Sequence, residues 1–390
     1  FPSAIVTSRA ETAFRVRSRR SRRDRARSAA GRDGIAVYTA ENRSTITRMS
    51  DDADDERPRT APDSFPIQVR GWDEEASAHQ LGNNIFSCVQ ELSRRIDLSG
   101  LDGITIAGDY HQALADLDRG YETRHVLTAS NDIAIGVAMT PSVIRNGKLK
   151  SHIVLNGHFA RGLLDTQHEF FRTALHLLAH ECAHVEITAA FDRCFPDTLL
   201  RTRHDNAHQA FRWDIIQACW DEYAATRISA GFGEDPTEGY EETFVSVLGS
   251  TRQTVNDAIR AYRDHGDVDR IMIEAYTEYG RLMKYAAYHM GNLDGLAIAI
   301  EDRAATREPL EGHWFEPHLN SLRTALRELW NEFGAWSSKA PFERIGDIAD
   351  DMIQEGGVIV TQLPGGELYV DVPGSMEDML AFIAAAGSRP

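Results

Sequence analysis

The sequence predicts an α+β fold, with a small sheet before a central buried helix and a long run of helices after it. Three observations carry this. Strand-like apolar runs and a strong two-residue turn signal fall between residues 100 and 160. The next segment, about 165–188, is apolar nearly all round at helical spacing, which is the pattern of a buried helix. Helical periodicity then dominates to about residue 338.

The chain opens on an unusual segment. Residues 1–65 hold an Arg-rich run over 15–27, an acidic run over 51–56, then Pro58 and Pro62. Such a segment buries too little apolar surface to offset its ordering entropy, so disorder is expected. Residues 1–48 contain twelve Arg, no Lys and four acidic residues, whereas the whole chain carries a net charge of −17. The expectation is a solvated tail, or a natural start at Met49; a transit peptide or an RNA-binding arm is the functional alternative. The acidic remainder disfavours nucleic acid as a partner. No apolar run reaches the roughly 18 residues of a membrane helix. Four cysteines without a CxxC pair predict reduced thiols, and no apolar h-region marks a secretory signal, so a cytoplasmic protein is expected.

The elements follow in order. Residues 72–97 read as an amphipathic helix through Ile85, Cys88, Val89, Leu92 and Ile96. Residues 101–107 read as a strand, 109–118 as a short helix and 132–139 as another strand. Asn146-Gly147 signals a tight hairpin into a strand from Lys148 to Asn156. After Pro196 and a polar loop, a helix over about 208–230 ends at Gly231-Phe232-Gly233. Helices are expected at 237–264, 267–290, 293–305 and 317–335, then a hairpin over 358–372 and a last helix at 375–386. The expected organisation is a tail (1–65), a core (66–233), a helical region capping or completing it (234–340), and a hairpin-plus-helix end (341–390).

The central helix carries His180-Glu181-Cys182-Ala183-His184. Positions i and i+4 lie one above the other on a helix, so His180 and His184 can grip one metal ion. Glu181 beside them suits a general base in metal-assisted hydrolysis. Zinc is the metal this donor type favours, with manganese or iron as alternatives. A catalytic zinc needs a third protein ligand, and the next helix offers Glu222. Glu222 sits among Ile215, Ile216, Cys219, Tyr223, Ala224 and Ile228, where a carboxylate is costly without a positive partner. Asp221, rotated by about 100° on the helix, is the competing ligand, and a buried pair with Arg is the plain structural alternative. His176 extends the ladder, but three such residues span about 12 Å and cannot share one ion, so His176 is expected to pack. Cys182 points away from the histidine face and is expected in the core.

These residues resemble the zincin metallopeptidases and, more narrowly, their gluzincin branch, in which HExxH supplies two histidines and a Glu on the following helix the third ligand. The matching positions are His180, Glu181, His184 and Glu222, and the resemblance covers roughly residues 100–230. Glu222 followed by Ala225 is similar to the ExxA signature of the ImmA/IrrE-type peptidases. Two features depart from these families. The interval from His184 to Glu222 is longer than in compact members, and Thr226 stands where thermolysin-like enzymes carry a carboxylate. The resemblance implies a zincin-like small sheet packed on the HExxH helix and on a Glu-bearing helix. It also implies one zinc per chain and hydrolysis of peptide bonds in a cytoplasmic protein by a zinc-bound water activated by Glu181. It further implies a Tyr or His steadying the oxyanion, with His204, His208, Tyr223, Tyr285, Tyr288 and His289 as candidates. An extended peptide substrate would add to an edge strand, for which 148–158 is the expected segment. A zinc-containing binding or sensor module without proteolytic activity is the alternative, and a metal-free helical interaction protein is a third.

Overall fold

The apolar runs before residue 160 pair into one mixed sheet. The computed structural model describes residues 57–123, 126–128, 136–364 and 367–374, together with the strands β1 (Glu11–Ala13) and β2 (Ala36–Tyr38). The rest of the Arg-rich and acidic tail to residue 56, the expected strand residues 132–135 and the expected helix 375–386 lie outside the described residues. The chain divides into two units. One is built from Ser8–Leu200 with Ala224–Gly239, the other mainly from Arg201–Tyr223 with Tyr240–Pro390. The architecture is mixed α+β.

In the first unit the elements run β3 (Ile67–Arg70), α1 (Glu75–Leu92), β4 (Leu101–Ala107), α2 (Tyr110–Ala115), β5 (Gly136–Met139), β6 (Ser142–Arg145), β7 (Lys148–Asn156), α3 (Gly157–Ala160) and α4 (Phe171–Cys194). The sheet order is β1-β5-β7-β4-β3-β2, and β6 also pairs with β7. β3, β4 and β7 are mutually parallel, aligned at Ile67, Ile104 and Ile153. Parallel neighbours need a crossover, and α1 supplies it between β3 and β4. Strand alternation then sorts the two faces. Ile104, Ile106, Ile153 and Leu155 join the core with Leu81, Ile85 and Val89 of α1 and with Leu178, Cys182 and Val185 of α4. Val154 and Ala107 pack on the opposite face with Tyr110, Ala113 and Leu114. Cys182 is thus a core residue, as its helical position predicts. Ala61 and Phe65, ahead of β3, are also buried in this unit.

The Asn146-Gly147 turn forms as read. Both residues take positive φ, 52° and 77°, which a two-residue hairpin turn requires. The edge position expected of 148–158 does not form. β7 has β4 on one side and β5 and β6 on the other, so its backbone donors and acceptors are occupied within the sheet. The turn folds β6 back onto one side while the parallel crossover brings β4 to the other. α4 is displaced relative to the expected 165–188. A 3-10 turn at Arg161–Leu164 and a short loop precede it, and it continues to Cys194 because Pro196 first restricts Phe195.

The second unit is helical. It comprises α5 (Ala207–Ser229), whose last residues belong to the first unit, α6 (Thr237–His265), α7 (Val268–Gly295), α8 (Ala304–Leu310), α9 (Glu316–Asn331), α10 (Ala340–Glu355) and the hairpin β8 (Ile359–Gln362) with β9 (Leu368–Asp371). Two expectations are corrected. A separate helix at 293–305 is replaced by the end of α7, a 3-10 turn and α8. Ala297 takes φ 57° and Ile298 donates back to the Leu293 carbonyl, a left-handed stop that no Gly announces. Conversely, α10 occupies a stretch not read as helix. Phe342, Ile345, Ala349, Met352 and Ile353 form its buried stripe, and Pro341 sits in its first turn. Trp220 of α5 packs in an aromatic cluster with Phe333, Trp336 and Phe342.

Asp350 of α10 is the polar anchor of this unit. It accepts from His208 Nε2 at 2.9 Å and from Tyr276 Oη at 2.8 Å, and it pairs with Arg212. Burial works to raise its pKa, but the His208 hydrogen bond and the His208 and Arg212 charges hold it below the ordinary carboxylate value. A lowered folded-state pKa means stability that is present above the unfolded value and lost as pH falls through the folded one. Asp350→Asn is therefore expected to cost about 2 kcal/mol at pH 7, with the difference from wild type shrinking as pH drops below about 4. Urea midpoints across that range test this; a pH-independent difference would assign the loss to packing.

Candidate metal centre

The helix that carries the motif is rich in Ala and Leu, and its residues from Ala174 to Phe191 are mostly buried. Burial on all sides forces His180, Glu181 and His184 inward together; their exposures are 0%, 0% and 4%. The i, i+4 spacing brings the two histidine Nε2 atoms to 3.1 Å, with ring centroids 4.8 Å apart and planes at 79°. Burial lowers the His180 pKa to about 4, with Glu181 opposing. The ring is therefore neutral near pH 7, the protonation state a metal ligand needs.

Glu222 of α5 is fully buried, whereas the neighbouring Asp221 is half-buried. His180, His184 and Glu222 each offer one ligand atom, and these atoms all lie within 4.8 Å of one another. Among the described residues this is the one group of three or more such side chains close enough to hold an ion. Of Glu222 and Asp221, it is Glu222 that offers a ligand atom within 4.8 Å of those of His180 and His184. Burial pushes its carboxyl up to about 8, against the Lys284 charge. The donor set fits a divalent metal: two imidazoles, one of them held neutral by burial, and one buried carboxylate match the composition of known His₂Glu zinc centres.

Glu181 is fixed from the sheet side. The Thr140 hydroxyl, one residue past the end of β5, lies 2.7 Å from Glu181 Oε2 and 3.2 Å from its main-chain oxygen. Sequence reasoning missed Thr140, because a polar residue after a strand and before Pro141 carries no mark of its partner. His176 packs as expected. Its Nδ1 meets the Phe232 carbonyl at 3.1 Å, and its ring centroid is 6.5 Å from that of His180.

The six candidate oxyanion donors separate by their contacts. Tyr223 Oη donates to Asp294 at 2.5 Å, His208 meets Asp350, and His289 Nε2 meets Thr306 Oγ1 at 2.8 Å. His204 stacks on Trp213 and Tyr285 stacks on Tyr288. Tyr288 is buried, and that burial, with the Glu222 charge, raises its hydroxyl pKa well above the usual value.

In comparisons with known proteins, the chain matches no family model, no curated protein and no solved structure. No helix among the described residues is long and apolar enough to cross a membrane.

Proposed function

We propose that this chain is a zinc-dependent peptidase, zincin-like around α4 and α5, acting on a protein or peptide substrate. The observation that carries the reading is the convergence of His180, His184 and Glu222, with Glu181 next to the first ligand and held by Thr140. The three side chains would hold one zinc per chain. When bound there, zinc supplies Lewis acidity, polarising a scissile carbonyl and acidifying an attacking water. Glu181 would act as the general base, accepting a proton at Oε1 while Thr140 steadies its Oε2, and would return that proton to the leaving amine. The absence of disulfides among the four cysteines supports a cytoplasmic setting.

A second reading has its own support. All four motif side chains are at most 4% exposed, and a closed site suits a metal-containing binding or sensor module. The presence of a positioned base favours hydrolysis, because a purely structural metal has no use for one.

The first test is metal content by elemental mass spectrometry, wild type beside His184→Ala. About one zinc per wild-type chain, lost in the variant, is the expected result. A wild type that takes up no metal even after zinc is supplied would remove both readings. Manganese or iron in place of zinc would keep the site and change its metal.

A further inference from the structure

β5 and β6 are two segments of one strand. β6 pairs with β7 from Arg145↔Lys148 to Ser142↔Ser151, and continuing that pairing without a slip gives the β5 pairs Met139↔Val154 and Ala138↔Leu155. The step between the segments falls at Thr140-Pro141. Proline has no N–H to give, so the ladder is interrupted there, while the Pro141 carbonyl still accepts from the His152 amide at 2.9 Å. The continuous register puts Thr140 opposite Ile153. Residues directly opposite in an antiparallel pair share a face, and Ile153 joins the core that contains Leu178, Cys182 and Val185 of α4. Thr140 is therefore turned to α4, where its hydroxyl meets Glu181 Oε2 at 2.7 Å. A slip of one residue would turn Thr140 to the opposite face.

Two features hold that register. The Asn146-Gly147 turn fixes it at one end. Asp102 of β4 holds it at two points: its Oδ1 accepts from Arg145 Nε at 3.0 Å, beside the turn, and its Oδ2 meets His152 Nδ1 at 2.9 Å, across from Pro141. The buried His152 ring is tied at its other nitrogen to Thr105 Oγ1 at 2.9 Å.

We infer that the hairpin of β5–β6 with β7 positions the proposed base: Asp102 locks its register, and Thr140 transmits it by donating its hydroxyl proton to Glu181 Oε2. The inference rests on the peptidase reading above. The last torsion of a Glu side chain is soft and exchanges its two oxygens. A donor committed to Oε2 fixes that rotation, so Oε1 keeps one direction. Thr140 acts through Glu181 and not on a substrate, so its loss slows the chemical step and leaves substrate binding alone.

The test measures kcat and KM per zinc-loaded chain on a quenched fluorescent peptide, selected from a library with the wild type. The proteins are wild type, Thr140→Val, Thr140→Ser, Asp102→Ala and the variant carrying both Thr140→Val and Asp102→Ala. Thr140→Val is expected to lower kcat about 10–100-fold with KM and zinc content unchanged. Thr140→Ser keeps the hydroxyl and should stay near wild type. Asp102→Ala should lower kcat by itself and add nothing once residue 140 is Val, because the two changes act along one path. Infrared spectroscopy supplies a readout without turnover. The Glu181 carboxylate stretch, isolated as the difference between each protein and its Glu181→Gln counterpart, should shift in Thr140→Val and not in Thr140→Ser. Unaltered kcat in Thr140→Val, or an unshifted stretch, overturns the role of Thr140 and leaves the peptidase standing. Wild-type kcat in Asp102→Ala, or a loss that adds in full to that of Thr140→Val, overturns the role of Asp102. A zinc-loaded wild type that cleaves nothing overturns the peptidase reading and this inference with it.

Discussion

Glu181→Gln is expected to lower peptide hydrolysis by about 10²–10⁴-fold while one zinc per chain is retained. The reason lies in the division of roles around α4. Glu181 is absent from the group of three side chains whose ligand atoms converge, so its loss leaves the proposed donor set intact. Gln has nearly the same shape and can still accept the Thr140 hydroxyl at the position of Oε2. What Gln lacks is the ability to take a proton near neutral pH. The measurement pairs a quenched fluorescent peptide library with elemental analysis of the same preparations. Equal cleavage by wild type and variant would end the general-base role. A zinc-loaded wild type that cleaves nothing would shift the balance to the binding or sensor reading, since a closed centre then has no catalytic output.

Gly233→Ala carries the largest expected stability loss, about 3 kcal/mol or more. Gly233 has φ +71°, where a side chain is disfavoured in itself. A Cβ built there would lie 2.2 Å from the Arg172 carbonyl oxygen and 2.6 Å from the His176 nitrogen. Both are backbone atoms of α4, which cannot yield as the end of a flexible side chain can. The contact is a clamp. Arg172 Nη2 donates to the Gly233 carbonyl at 2.7 Å, the Glu234 amide donates to the Arg172 carbonyl at 3.1 Å, and His176 meets Phe232. Pushing this loop away therefore disturbs the turns of α4 immediately ahead of His180. Gly231→Ala is the control, because a Cβ there meets nothing within 4 Å. Urea unfolding of both variants separates the cases; matching midpoints would show that the loop accommodates the methyl group.

Much of the site is legible in sequence because helix geometry alone creates it. His180 and His184 converge through four residues of one helix, and the apolar surroundings of Glu222 reveal a carboxylate that needs a partner. The strand at 101–107 and the Asn146-Gly147 turn are likewise local: a short apolar run and a pair of residues tolerant of positive φ each specify their own backbone. The stripe of α10 was equally present in the sequence, at Phe342, Ile345, Ala349 and Met352, behind Pro341. The left-handed stop at Ala297 is different, since Ala gives no warning of positive φ.

The sequence by itself therefore determined the α+β class, the helix bearing His180, Glu181 and His184, and a carboxylate, Glu222, among apolar neighbours on the next helix. Each follows from periodicity within a few residues of chain. The tertiary structure decided that Glu222 and not Asp221 has a ligand atom within 4.8 Å of the histidine ligand atoms, that Thr140 holds Glu181, and that β7 is interior rather than an edge. These depend on which faces of distant elements pack together. Such choices are set by the burial of whole helices and strands, and no spacing along the chain encodes them.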